Sequence, residues 1–227
     1  MRACRVLRLR QQDSGRSGRR AGARPVGERR SPVSPSVPRP LGVVPAGAET
    51  GLVIFVPQAE TLVQPYRERH DPVAALGMPA HVTVFYPFFE PDEIDGEVLA
   101  ALERIAQDHD AFSFSLTGVE RFPGVLFMTP EPREPFERLS QATATAFPTL
   151  SMYEGEHRTF VPHLTVAHAD DKRKLDTIAG RFTREAEPHL PINAYAGHLC
   201  LMESRGECWR RRESFRLRDP EHEEAAL

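Results

Sequence analysis

A histidine followed two residues later by threonine and then by valine occurs twice in this sequence. The first copy is His81-Val-Thr-Val84 and the second, 82 residues later, is His163-Leu-Thr-Val166. Histidine titrates near neutral pH, so one imidazole can take a proton from an attacking oxygen while a second, protonated imidazole gives one to the leaving oxygen. Threonine hydroxyls can donate hydrogen bonds to the non-bridging oxygens of a phosphate. The two motifs therefore predict displacement at phosphorus, with no metal and no cofactor required.

Both motifs are predicted to lie in β-strands. The first strand covers His81-Val-Thr-Val-Phe-Tyr86 and ends at a proline, and the second covers residues 163–167. Because side chains alternate along a strand, His81 and Thr83 share one face, and His163 and Thr165 share one face in the same way. If the two strands face each other, two imidazoles and two hydroxyls converge on one cleft.

The same order of elements, strand-helix-strand-helix-strand, surrounds each motif. We therefore expect an α+β, bilobal fold with two mainly antiparallel sheets, related by a pseudo-twofold around a central groove, and helices on the outer faces. Its halves cover residues 51–119 and 124–217, with intertwined lobes. The predicted strands are 52–56, 81–86, 112–116, 125–128, 163–167, 190–202 and 209–217; helices are predicted over 95–108, after Pro135 and after Asp170 or Asp171. Pro65 predicts only short helical turns between the first two strands.

Charge divides the chain into two parts. Residues 1–48 contain 11 arginines and two acidic residues, a net charge of +9, whereas the other 179 residues carry 18 basic and 30 acidic residues, a net charge of −12. The first part is rich in proline and has no apolar periodicity, which predicts a disordered leader over 1–48. An RNA-binding arm, a transit peptide and an extension without function remain open for it. The folded domain is expected over 49–218, followed by an acidic tail over 219–227.

The composition also limits the partners. An acidic body lacks the many cations that bind long nucleic acid, so we expect a nucleotide or an RNA end as substrate. No apolar run approaches the length of a membrane span. The three cysteines form no CxxC pair, which suits a reducing, cytoplasmic location. We expect a monomer.

The paired motifs and the segments that lead into them resemble the two-histidine (2H) phosphoesterases. The lead-ins are Met78-Pro-Ala-His81 and Phe160-Val-Pro-His163, and the similarity lies in the branch of 2'-5' RNA ligase-like enzymes and RNA 2',3'-cyclic phosphodiesterases. The resemblance implies a bilobal, metal-independent enzyme with His81 and His163 as the catalytic pair and Thr83 and Thr165 as phosphate contacts. Many members carry basic residues where this chain has Val161 and His168, a departure that concerns substrate preference.

Other polar and aromatic residues near the motifs have two interpretations each. Arg158 is a candidate phosphate contact or a surface charge. His168 is five residues beyond His163, so in a regular strand it faces away. The run from Phe85 to Phe89 could stack a base, but packing in the core is favoured, and Tyr86 is expected under the sheet.

Two other functions are compatible with the same residues. One is a non-catalytic module that binds nucleotides or RNA ends in the same groove. The other is a metal-dependent hydrolase that uses His163 with His157, Glu154 and Glu156 in the preceding loop. A ligand cluster or a lid would explain that loop, but solvated loop polarity is the favoured interpretation.

Overall fold

Two four-stranded antiparallel sheets form the framework of the residues that the structure describes. The structure is a computed structural model, and it describes residues 48–150, 160–206 and 208–219. The strands are β1 (Glu49–Phe55), β2 (His81–Phe85), β3 (Phe112–Phe122), β4 (Val125–Glu131), β5 (Leu164–His168), β6 (Ile192–Ala196), β7 (His198–Ser204) and β8 (Trp209–Arg216). The helices are α1 (Pro57–His70), α2 (Pro72–Ala75), α3 (Gly96–Gln107), α4 (Glu134–Ala146) and α5 (Lys172–Ala186), with single 3₁₀ turns at Pro91–Glu93 and Glu187–His189.

The order of strands differs between the chain and the sheets. The first sheet has the order β2-β1-β7-β8 and the second has the order β5-β4-β3-β6, so β1 corresponds to β4 and β2 to β5. Strand β3 belongs to the first half of the sequence but pairs with β4 in the second sheet. Strands β7 and β8 return from the end of the chain to complete the first sheet. The two motif-bearing strands, β2 and β5, are therefore equivalent edge strands of two interleaved sheets.

Helix ends follow the sequence where a capping residue is present. Asp95 accepts hydrogen bonds from the backbone N–H groups of Glu97 and Val98, both at 2.9 Å, and α3 begins directly after it. Asp171 accepts one from Lys174 at 2.8 Å at the start of α5. Each carboxylate satisfies backbone donors that the first turn of a helix leaves without partners. Both predicted helices are confirmed.

The expectation of short helical turns around Pro65 is wrong. Helix α1 runs for 14 residues with Pro65 inside it. Proline removes one backbone donor, which leaves the carbonyl of Thr61 without its helical partner. Both residues are exposed, so water can reach that carbonyl, while Ala59 and Val63 on the opposite side are fully buried. Burial of one helix face outweighs the local penalty.

The single strand expected over 190–202 is also wrong. It is divided at Gly197 into β6, which pairs with β3 in the second sheet, and β7, which pairs with β1 in the first. The segment passes from one sheet to the other, and period-two alternation cannot reveal such a change of partner.

Both motif-bearing strands have a β-bulge at the same place. Thr83 lies opposite Val53, but Phe85 lies opposite Leu52, so Val84 is an extra residue. In β5, Thr165 lies opposite Phe127 and Ala167 opposite Leu126, so Val166 is the extra residue. An extra residue reverses the alternation of faces beyond it.

The bulges correct two expectations made for regular strands. His168 lies opposite Val125, and Thr165 lies opposite Phe127 two residues further along β4. His168 therefore shares the face of Thr165 and does not face away. By the same reasoning Tyr86 shares the face of Thr83, and it packs with Val53 on that side of the sheet.

One continuous hydrophobic core joins the two sheets. It includes residues of β1, β2, β4 and β5 together with the inner faces of the long helices, among them Ile54, Val82, Val166, Leu102 and Phe182. Helix α1 packs on β5 and α4 packs on β2, so a helix from each half covers the motif-bearing strand of the other. This shared core fixes β2 and β5 relative to each other, and both strands rest on it through their valines.

Some predictions concern residues outside this description. Residues 1–47 and 220–227 are not described, so the leader over 1–48 and the tail over 219–227 stay predictions, as do the domain over 49–218 and its halves. Within the described ranges, no helix is both long enough and apolar enough to cross a membrane.

Candidate active site

His81 begins strand β2, and the residue is 7% exposed. The Nδ1 atom lies 2.7 Å from the carbonyl oxygen of Pro79, two residues earlier. A carbonyl can only accept, so Nδ1–H is the donor. In the neutral ring the remaining nitrogen, Nε2, then carries the lone pair, which is the form that a general base needs.

His163 repeats this arrangement immediately before β5. Its Nδ1 atom lies 2.7 Å from the carbonyl oxygen of Val161, again two residues earlier. Pro162 precedes His163, whereas Pro79 lies two residues before His81, so the same hydrogen bond forms on different local sequences. Both imidazoles therefore have the same tautomer when neutral, and Nε2 is the reactive nitrogen in each.

The threonines follow their histidines on the same strand faces. Thr83 and Thr165 are each partly exposed, whereas Val82 and Val166 on the core side are fully buried. Each threonine hydroxyl is thus on the side of its own histidine, as the alternation of a strand requires.

The structure brings the two motifs together. Strands β2 and β5 pack against each other. Burial is the largest cause of the low pKa of His81, Arg67 is the next, and the charge of His163 is a smaller one, in keeping with the packing of the two strands. The two threonines come with them, since each lies two residues along its strand from its histidine.

Burial favours the uncharged form of both histidines. Desolvation, with the nearby Arg67 guanidinium as the second cause, lowers the pKa of His81 to about 3. The pKa of His163 is also lowered by burial, partly opposed by its hydrogen bond to the Val161 carbonyl. The free protein therefore holds two neutral imidazoles at pH 7, and one must gain a proton before it can act as an acid.

A buried ion pair lies beside this site. Arg67 is 2% exposed, and its Nη2 atom lies 2.9 Å from Oδ2 of Asp71. The Nε2 atom of His168 lies 3.9 Å from Oδ1 of the same carboxylate. The interior thus holds a fixed positive charge near His81 and a fixed negative charge near His168. The pair has little signal in the sequence: Arg67 lies four residues after the buried Val63, at helical spacing, but Pro65 lies between them.

An aromatic wall lies against His163. The rings of Phe122 and Phe127 contact it edge-on, with centroids 5.4 and 5.2 Å away, and they stack on each other at 4.2 Å. Phe127 lies opposite Thr165 in the register of β4 and β5. The contacts hold the imidazole plane in place. These two residues carry no sequence signal beyond their aromatic type, because their approach depends on the β3–β4 pairing.

The chain also matches a known family. The model of the family described as the 2'-5' RNA ligase superfamily matches residues 55–207, about two thirds of the chain. The protein belongs to this superfamily. Both histidine motifs lie inside the matched region, as the resemblance seen in the sequence implied.

Two sequence relatives of this superfamily member come from Geobacillus. A candidate phosphoesterase of Geobacillus sp. strain WCH70 is 26% identical over 161 residues, which cover 70% of this chain and 89% of that protein. A candidate phosphoesterase of Geobacillus kaustophilus is 29% identical over 121 residues, covering 51% of this chain but only 66%, slightly under two thirds, of that protein. The superfamily and these relatives support an enzyme of the phosphoesterase type.

Solved structures show the same fold. TT0787 of Thermus thermophilus aligns with a TM-score of 0.53 at 22% identity, covering 76% of this chain and 99% of that one. LigT of E. coli, solved in complex with 3'-AMP, aligns with a TM-score of 0.52 at 15% identity, covering 75% and 98%. At these identities the likeness concerns the α+β architecture with its two antiparallel sheets, which was the fold expected from the sequence.

Several residues considered in the sequence are not part of the described site. Arg158, His157, Glu154 and Glu156 lie outside the described residues, so their proposed roles stay predictions. Phe85 and Phe88 are buried in the core, which excludes them as a stacking surface and confirms the packing interpretation. Within the described ranges, no group of three or more His, Cys, Asp or Glu side chains is arranged to hold a metal ion.

Proposed function

We propose that this member of the superfamily is a phosphodiesterase that opens a 2',3'-cyclic phosphate at the end of a nucleotide or RNA. The observation that carries the proposal is the matched geometry of His81 and His163, which lie at the starts of two packed edge strands. In each, Nδ1 is bound to a backbone carbonyl and Nε2 is left for proton transfer. The 3'-AMP in the LigT complex supports a nucleotide as the occupant of such a site.

The reaction needs two proton transfers, one for each histidine. A water oxygen attacks phosphorus while one neutral Nε2 takes its proton, and a new P–O bond forms. The bond from phosphorus to the 3'-oxygen breaks as the second, protonated imidazole donates to that oxygen. The products are a 2'-phosphomonoester and a free 3'-hydroxyl. The two motifs are too alike to assign the base and the acid.

The threonines stabilise the phosphate during the reaction. Thr83 and Thr165 lie on the faces of their histidines, and their hydroxyls are small neutral donors for the non-bridging oxygens of the phosphate. The charge on those oxygens grows as the fifth bond forms, so the hydrogen bonds strengthen in the transition state. With a 5'-hydroxyl in place of water as the attacking group, a new P–O5' bond forms, the bond to the 3'-oxygen breaks in the same way, and the product is a 2'-5' linkage, which is ligation.

The test is a panel of substrates assayed in the presence of EDTA. It contains 2',3'-cyclic mononucleotides, 2'-5' dinucleotides and RNA that ends in a cyclic phosphate. We expect turnover of the cyclic phosphates with a bell-shaped dependence of kcat/KM on pH, because one histidine must be charged and the other neutral. Tight binding without turnover across the whole pH range identifies a binding module instead. Loss of activity in EDTA, restored by a divalent cation, identifies a metal-dependent hydrolase.

A further inference from the structure

The face of the first sheet that carries His81 continues to the edge strand β8. His81 lies opposite Phe55 in the pairing of β1 with β2. The pairing of β1 with β7 places Val53 opposite Cys200, and its continuation by two residues places Phe55 beside His198. His198 in turn lies opposite Arg216 of β8. A single row of neighbouring side chains therefore leads from the candidate active site to the edge of the sheet.

Two parallel rows end on the same strand. Cys200 lies opposite Ser214, and Met202 lies opposite Arg211. Contacts place these residues on the side of His81: Phe55 packs against the cluster that contains Cys200, and Ser214 Oγ lies 3.7 Å from Cys200 Sγ. Burial raises the pKa of the Cys200 thiol, while Ser214 and Arg211 lower it, so the guanidinium lies beside the thiol.

The outer part of this face is exposed and carries two arginines. The side chains that line it are all exposed: His198, Arg211, Ser214 and Arg216, together called the β8 track. Arg216 forms an exposed ion pair of 3.2 Å with Asp219. Among the described residues, Arg211 has no carboxylate partner. Because Asp219 offsets Arg216, Arg211 is the uncompensated cation of the track, and Arg216 is a second guanidinium that a phosphate can reach by displacing an exposed carboxylate.

We propose that the β8 track binds the sugar–phosphate backbone of an oligonucleotide whose terminal phosphate lies between His81 and His163. This inference rests on the proposed function and names its substrate class: a short RNA end rather than a free mononucleotide. Exposed arginine and hydroxyl side chains can donate hydrogen bonds to phosphate oxygens. The partly exposed Phe55, which lies between His81 and His198 in the row, can stack on a base.

The dimensions agree with a short substrate. Three strand spacings separate β2 from β8, or about 14 Å, which is farther than a single nucleotide held at His81 extends. A strand that reaches Arg211 and Arg216 must therefore contain nucleotides that precede the end. The track is one strip at one sheet edge, so the acidic remainder of the surface still disfavours long nucleic acid.

The experiment compares two substrates with the same terminal 2',3'-cyclic phosphate, a mononucleotide and a trinucleotide. For the wild type we expect a higher kcat/KM for the trinucleotide. In the double variant Arg211→Gln/Arg216→Gln the ratio of the two kcat/KM values falls by about tenfold, and the dependence of the trinucleotide reaction on salt weakens, because each lost phosphate contact removes about 0.7 from the slope for a single strand.

Arg210→Gln is the matched control. Arg210 is an exposed neighbour on β8, but it lies opposite Glu203, on the other face of the sheet. Its removal changes the net charge by one unit and leaves the track intact, so the ratio stays at the wild-type value. An equal loss in Arg210→Gln, or a ratio that the double variant does not change, overturns the proposal.

Binding measurements separate this inference from the proposed function. In the His81→Ala background, a fluorescent trinucleotide that ends in a 2'-phosphate should bind about tenfold more tightly than it does when Arg211→Gln/Arg216→Gln is added. If no cyclic phosphate is turned over but this difference is found, the proposed reaction fails and the track stands. If turnover is found and the trinucleotide binds both proteins equally, the track fails and the reaction stands.

Discussion

Val84 and Val166 occupy the same position in two different sheets, each as the extra residue of a β-bulge that follows a motif threonine. In each strand the histidine and the threonine share one face. The bulge then brings the residue two positions after the extra valine, Tyr86 or His168, onto that same face. Tyr86 is held there by its hydroxyl, which donates to Glu49 at 2.5 Å, and His168 lies near Asp71. The two halves thus place a phenol and an imidazole at equivalent points, which makes the surroundings of the two catalytic candidates unequal.

Removing either imidazole should abolish most of the activity. We expect His81→Ala and His163→Ala each to lower kcat/KM for a 2',3'-cyclic nucleotide by at least about 10², since each removes one of the two proton transfers. Circular dichroism checks that both variants fold. His189→Ala, which removes an exposed histidine far along the chain, is the control and keeps wild-type turnover. Full activity in either motif variant rules out the mechanism.

Acid should destabilise the protein through His81. The ring takes up a proton at a pKa of about 3 in the folded state but near 6.5 in the unfolded chain. Between these values the unfolded chain binds more protons, so the free energy of unfolding falls as the pH is lowered, by roughly 2 kcal/mol from pH 7 to pH 5 for this one group.

Urea unfolding at the two pH values measures this effect. In His81→Gln the difference in unfolding free energy between pH 7 and pH 5 should shrink by that amount, while His189→Gln keeps it. A decrease as steep in His81→Gln as in the wild type contradicts the prediction.

The buried pair of Arg67 and Asp71 should be sensitive to the loss of one partner. Arg67→Met leaves the Asp71 carboxylate buried without its cation, and we expect a loss of about 3–5 kcal/mol in the free energy of unfolding. The double variant Arg67→Met/Asp71→Asn removes both charges and should recover most of that loss.

An exposed pair gives the comparison for these urea measurements. Arg121→Met breaks the ion pair with Asp176, in which both side chains are half exposed, and should cost less than about 1 kcal/mol. The interpretation fails if the double variant is as unstable as Arg67→Met alone.

Pro65 should be a site where stability can be gained. Pro65→Ala restores a backbone donor to the middle of α1 at an exposed position, and we expect the free energy of unfolding to rise by about 1–3 kcal/mol. Gln64→Ala, at the exposed neighbouring position, is the control and should change it by less than about 0.5 kcal/mol. A destabilised Pro65→Ala would mean that proline contributes more by restricting the unfolded chain than it costs in the helix.

Local signals in the sequence were enough for most elements and for the residues of the motifs. Asp95 and Asp171 predict the starts of their helices because a capping residue bonds to backbone groups within three residues. The alternation in residues 81–84 places His81 and Thr83 on one face, independently of how the strand pairs. The twofold order of elements indicated equivalent strands for the two histidines, and β2 and β5 are equivalent.

The features that the sequence did not predict depend on distant partners. The bulges at Val84 and Val166 exist only relative to β1 and β4, so the positions of Tyr86 and His168 could not be read from spacing. The burial of Arg67 could not be predicted, because Pro65 argued against the long helix that buries it. The change of sheet at Gly197 depends on β3 and β1 each having an unpaired edge for β6 and β7, and the local sequence does not show this.

The return of β7 and β8 to the first sheet has a consequence for how the protein forms during synthesis. Strand β1 emerges from the ribosome about 150 residues before its neighbour β7, so the sheet that carries His81 must wait until β7 and β8 have been synthesised. The second sheet can assemble earlier, because β3, β4 and β5 follow one another closely. A nascent chain arrested before residue 198 would therefore expose the unpaired backbone N–H and C=O groups along one edge of β1, and chaperones bind chains with such exposed edges.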